Sequence, residues 1–117
     1  MSKPIIDTLL DNAYQDTQVL LVNEKEGDQF AVARDVEFIL RTDDRAKAET
    51  VRSFVADNRY ADSVTIVPDG QHSELRVTVH MPLRQPVLCS ISALMASLAQ
   101  IFDIEYDGWS SDIQRDS

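Results

Sequence analysis

The side chains best equipped for recognition chemistry stand together near the C-terminus, in the stretch FDIEYDGW at residues 102–109. Phe102, Tyr106 and Trp109 are interleaved there with Asp103, Glu105 and Asp107, and Gly108 precedes the tryptophan. An aromatic ring beside carboxylates can meet a guanidinium through its face while the carboxylates accept from its N–H groups. A strand running through Ile104 and Tyr106 turns those two and Phe102 toward a core. Gly108 then lets the chain turn after the strand. Glu105, Asp107 and Trp109 remain as exposed candidates for binding a partner.

Other groups offer less. Asp103, Glu105 and Asp107 alternate as hard-cation ligands could, but a strand holds them on one side without a curved loop to wrap an ion. His72 falls in a turn and His80 on the polar face of a strand, and neither has a nucleophile motif near it. Cys89 is the single cysteine, unable to form an internal disulfide or a metal site alone, and reads as a small packing residue. Asp43 and Asp44 precede a helical stretch, where carboxylates serve as caps. No catalytic residue, cofactor-binding residue or metal ligand is expected, so the chain reads as a non-enzymatic interaction module. A hydrolase or immunity-type activity would have to run through His72 or His80.

The elements that must position these groups follow from periodicity. In QFAVARDVEFIL, residues 29–40, Phe30, Val32, Val36, Phe38 and Leu40 share one alternating phase, as in a strand buried on one face. A helix follows over TDDRAKAETVRSFVADNRY, with Thr42 or Asp43 as N-cap and Ala48, Val51, Phe54 and Val55 at helical spacing. SVTIV at 63–67 is a short strand, and PDGQHS supplies a hairpin turn into ELRVTVHM, where Leu75, Val77, Val79 and Met81 alternate with polar residues. Beyond Pro82 and Pro86, Leu88, Ile91, Met95, Leu98 and Phe102 form the stripe of an apolar helix that must dock on a sheet. The last strand is in FDIEYDGW. Strand, helix, strand, strand, helix, strand with right-handed crossovers makes an α+β, ferredoxin-like fold. Its four-stranded antiparallel sheet carries two helices on one face. Residues 1–28 read as an N-terminal helical extension: Ile5, Ile6, Leu9, Leu10 and Ala13 suggest a short leading helix, while VLLVN at 19–23 fits a helical turn or an edge strand equally. Residues 29–110 form the domain, and residues 111–117 a short, frayed C-terminal tail.

At 117 residues there is room for one core. No uninterrupted apolar run reaches the length of a membrane span, and acids interrupt the N-terminus where a secretory signal needs an apolar stretch. These features predict a cytoplasmic protein without a membrane partner. Net charge is −9 and sits at the two ends: residues 1–28 hold six acids against two lysines, and residues 103–117 five acids against Arg115. Such a field repels phosphate backbones and attracts basic partners. Direct nucleic-acid binding is also disfavoured because ELRVTVHM carries no stacking aromatic. The loop RTDD after the first strand would repel a phosphate.

FDIEYDGW closely resembles the segment that ends the conserved domain of the RraB family, bacterial protein regulators of ribonuclease E activity. There a helix runs into a phenylalanine-aspartate pair and then a tyrosine-aspartate-glycine-tryptophan string. DVEFIL entering an acidic helix start, the third strand and the apolar helix fall in the same order, so the similarity covers residues 29–110, with residues 1–28 matching as a helical lead-in. The resemblance implies a ferredoxin-like fold and binding to the arginine-rich C-terminal scaffold region of ribonuclease E. Well-known members carry a long acidic tail, whereas here Trp109 is succeeded by SSDIQRDS, so weaker binding or a different partner is expected if that tail contributes. The alternative is an acidic ferredoxin-like module for another basic peptide or a small cationic ligand, with Trp109 and Tyr106 lining a pocket and Asp107 orienting the guest. The chain could act as a monomer or a homodimer. The helix-free sheet face, expected to show Ala31, Ala33, Asp35, Glu37, Ile39, Arg76, Thr78 and His80, could be covered by residues 1–27 or by a second subunit.

Overall fold

The computed structural model describes residues 4–114. Its elements are α1 (Ile5–Lys25), β1 (Arg34–Thr42), α2 (Arg45–Asp57), β2 (Ser63–Asp69), β3 (His72–Met81), α3 (Gln85–Phe102) and β4 (Glu105–Ser111). The four strands form one antiparallel sheet in the order β2-β3-β1-β4. The α+β, ferredoxin-like arrangement predicted from the order of elements is the one observed, with α1 as the N-terminal addition.

Cross-strand pairing brings the apolar phases into one layer. Val36 lies opposite Val79, Phe38 opposite Val77 and Leu40 opposite Leu75, so these pairs share a face. Val51 and Val55 of α2 and Leu88, Met95 and Leu98 of α3 close the core over them. By length and composition α3, 18 residues with a mean hydropathy of 1.5, could cross a membrane. Its buried stripe instead packs on this sheet.

Local chemistry sets the element ends. Asp44, rather than Thr42 or Asp43, caps α2, its carboxylate accepting from Ala46 N at 3.0 Å and Lys47 N at 3.2 Å. Thr42 Oγ1 accepts in turn from Asp44 N at 3.1 Å. Pro86 opens α3, and Asp103, with φ of 56°, ends it in the left-handed region.

Two expectations require correction, and two alternatives left open are decided. β1 begins at Arg34, not at residue 29. Phe30 still packs against the core, but from a turn, and Val32 is exposed. The reason is Arg34 itself, whose side chain is buried and folds residues 28–33 around it. Nη1 donates to both Asp28 carboxylate oxygens at 2.7 and 2.8 Å, and Nη2 donates to Gln29 O and Val32 O at 2.8 and 3.0 Å. Residues 5–25 form one continuous helix, VLLVN included. That helix lies against α3 and leaves the outer sheet face uncovered. Finally, Ser111 ends β4, and the residues after it are held rather than frayed: Arg34 Nη1 donates to Asp112 O at 3.2 Å, and Gln29 N to Gln114 O at 2.6 Å. Residues 1–3 of the extension and 115–117 of the tail lie outside the described residues.

Candidate protein-interaction surface

β4 carries all three predicted contact residues, and its geometry separates them. Tyr106 pairs with Leu40 and Trp109 with Phe38, so two residues, Asp107 and Gly108, stand opposite Ile39 alone. This is a β-bulge, and Gly108 at φ of 91° supplies the backbone conformation it needs. The glycine therefore kinks the strand inside its length instead of ending it. The extra residue advances the side-chain phase by one. Tyr106 and Trp109, three apart, both point inward, whereas strict alternation would have turned Trp109 outward.

Trp109 is only 9% exposed, which corrects the expectation of an exposed ring. Its Nε1–H donates to Asp16 Oδ1 at 3.1 Å. Asn12 Nδ2 donates to Asp16 Oδ2 at 3.3 Å and to Ser92 Oγ at 3.0 Å, and Ser92 Oγ lies 2.7 Å from the Tyr106 hydroxyl. A polar seam thus runs between α1, α3 and β4. Burial raises the Asp16 carboxyl above its ordinary pKa, and hydrogen bonds from Ser92 and Trp109 pull it part of the way back. Burial also pushes the Tyr106 phenol well above its usual range. The Cys89 thiol rises for the same reason, with the Asp16 charge adding to it, which suits a packing role better than reactivity. None of Asn12, Asp16 or Ser92 was legible as a partner of FDIEYDGW. The available signals were a glycine inside a strand pattern and the placement of Asn12, Asp16, Leu20 and Asn23 on one helical stripe.

Glu105 and Asp107 behave as expected, exposed on the outer sheet face of an edge strand. Asp107 Oδ2 lies 3.3 Å from Arg41 Nη2. Two open hollows flank the strand. One of about 270 Å³ is lined by Arg41, Asp43, His72, Asp103 and Glu105 among others. The second, of about 350 Å³, is lined by Asp35, Glu37, Ser110, Ser111 and Asp112. Carboxylates dominate both, and such a margin favours cationic side chains approaching from solvent.

The histidines lie on this face or its rim. His80 Nδ1 is 2.8 Å from Asp35 Oδ1, with both side chains more than half exposed. Among the described residues no group of three His, Cys, Asp or Glu side chains is arranged to hold a metal ion. The crevice that Tyr106, Asp107 and Trp109 share with α1 measures about 150 Å³, below the roughly 300–1,000 Å³ of small-molecule pockets. Tyr106 also borders a wider hollow of about 400 Å³ between α1 and the end of α3, but it is open to solvent, so the geometry suits an extended contact better than an enclosed ligand.

Among protein families, residues 13–111 match the model described as regulator of ribonuclease activity B. No curated protein matches the chain.

Proposed function

The chain belongs to the RraB family, and on that premise we propose that it is a non-enzymatic protein regulator that binds the basic scaffold region of ribonuclease E and thereby modulates RNA degradation in the cytoplasm. The family match over most of the chain carries this reading. The acidic margin around β4 supports it, because an arginine-rich segment gains charge-assisted hydrogen bonds from Glu105 and Asp107 and is drawn in by the net charge of −9. Trp109 contributes from behind, by holding β4 against α1, and offers no ring face to the partner.

Calorimetric titration of the full chain with the ribonuclease E scaffold region tests the proposal. Binding at low ionic strength that weakens as salt shortens the screening length to about 8–10 Å is expected. Absence of binding at low salt would overturn it.

A further inference from the structure

Helix α1 is built inside out. A helix that exists to pack turns its apolar stripe inward, yet only Asp16 and Leu20 of α1 are buried. Its docking face carries polar anchors, Asn12 bonding Ser92 and Asp16 bonding Trp109, while Thr17, on the same side as the outer stripe, accepts from Gln85 Nε2 at 3.3 Å where that side borders the start of α3. Seven large apolar side chains of α1 are exposed, Ile5, Val19 and Val22 at 42, 40 and 59% standing at scattered angles and the other four together. Ile6, Leu10, Tyr14 and Leu21 are 59, 62, 67 and 45% exposed. Their spacings of four, four and seven put them on one stripe, roughly 120° around the helix from Asp16 at 100° per residue. Where the stripe reaches Leu21 it opens into a hollow of about 170 Å³, walled by Leu20, Phe30 and Leu83 with Glu24 at the rim.

Four large apolar side chains aligned on one side of an exposed helix mark a docking surface. Two occupants compete, a second copy of the chain and a segment of another protein. Self-pairing would set one stripe against its twin with acids on both sides, since residues 1–28 hold six acids against two lysines and each chain carries −9. It would also rest on one helix of 21 residues, about 30 Å long, which is narrow for the roughly 800 Å² per partner of a stable interface. A short basic segment avoids both costs. Its apolar side chains would lie along Ile6, Leu10, Tyr14 and Leu21, one of them entering the Phe30–Leu83 hollow, while its cations would meet Glu24 and the field of Asp7.

We propose that the outer stripe of α1 docks an amphipathic basic segment of a partner protein, with apolar residues at helical spacing and Arg or Lys on their flanks. The inference rests on the reading that the partner is the ribonuclease E scaffold region and identifies the kind of segment within it that is gripped.

The test is titration of that scaffold region into the full chain and its L10Q/Y14Q double variant, with the variant's thermal midpoint measured alongside. Both side chains are exposed, so the midpoint should hold while affinity falls at least tenfold. L21Q, at the hollow, serves as an independent second variant and should weaken binding severalfold. Equal affinity of wild type and both variants would overturn the inference and leave the functional reading standing. Failure of the wild type to bind at low salt would remove the reading and the inference together. Concentration-dependent sedimentation of the wild type that the double variant abolishes would overturn it in favour of a second copy.

Discussion

Among the described residues two carboxylates are buried, and they are held in opposite ways. Asp28 faces the Arg34 guanidinium at 2.7 and 2.8 Å, with side chains only 0 and 3% exposed, and also accepts from Gln114 N at 3.3 Å. Arg34 in turn reaches the carbonyls of Gln29, Val32 and Asp112. Asp16, by contrast, meets no cation among the described residues. Neutral donors from Trp109 and Asn12 support it, and burial raises its pKa. The first arrangement ties three distant stretches of chain together: the end of α1, the start of β1 and the residues after β4. The second pins one helix to one strand at an electrostatic cost. A satisfied buried ion pair is expensive to break from one side. A lone buried carboxylate is cheap to neutralise.

Breaking the first cluster should have the largest effect. Arg34→Ala leaves Asp28 charged and buried without its cation, and should cost about 3–5 kcal/mol in urea unfolding, with β1 and the 112–114 segment loosening together in hydrogen exchange. A loss under about 1 kcal/mol would mean that the pair is solvated. At the second cluster, Trp109→Phe removes the Nε1–H donor and should cost about 1–3 kcal/mol, with α1 amides losing protection before those of the sheet. Gly108→Ala should cost about 1–2 kcal/mol, because φ of 91° is unfavourable for an L side chain even though nothing lies within 4 Å of its added Cβ.

The pH dependence of Asp16 sharpens the contrast. Its pKa is raised above 3.8 on folding, so between the two values the folded chain binds more protons than the unfolded one. The stability that Asp16 contributes is therefore present below about pH 3.8 and lost as pH rises through the elevated folded value. Asp16→Asn keeps an oxygen for Trp109 and removes the charge. Urea midpoints should show the variant gaining on wild type as pH rises through that window, whereas a constant difference would contradict a buried carboxylate.

The smallest effect is expected on the open face. Asp107→Ala breaks a pair with Arg41 in which both side chains are about one-third exposed, so stability should change by about 0–1 kcal/mol. The on-rate for the ribonuclease E scaffold region should nevertheless fall, and a stopped-flow series in salt would detect it.

The buried residues of β3 and α3 were legible because their patterns stay in phase, although β3 opens at His72, paired with Asp69, where the sequence placed the hairpin turn. Leu75, Val77 and Met81 alternate without interruption, and Leu88, Met95 and Leu98 keep helical spacing, so burial follows period. The candidate site was legible by half. Glu105 and Asp107 stand where alternation puts them, but Trp109 does not, since one bulge residue reverses every later side chain. Phe30 and Val32 extend the β1 pattern upstream, but the buried Arg34 bends the chain there and periodicity does not register an ion pair. Apolar spacing on α1 likewise reveals a stripe without revealing which way it faces.

The amino-acid order by itself determined the number and type of elements, the ferredoxin-like topology, the acidic field and the family signature. These rest on local periodicity and composition, which are read along the chain. Tertiary structure alone decided that Trp109 faces inward, that Asp16 and Asp28 are buried with different partners, and that α1 docks through polar anchors with an apolar stripe turned out. Each of those outcomes depends on groups 93, 86 or 80 residues apart meeting across the fold, as Trp109 meets Asp16, Gln114 meets Asp28 and Ser92 meets Asn12. A buried hydrogen bond or charge pair acquires its strength only where packing excludes water.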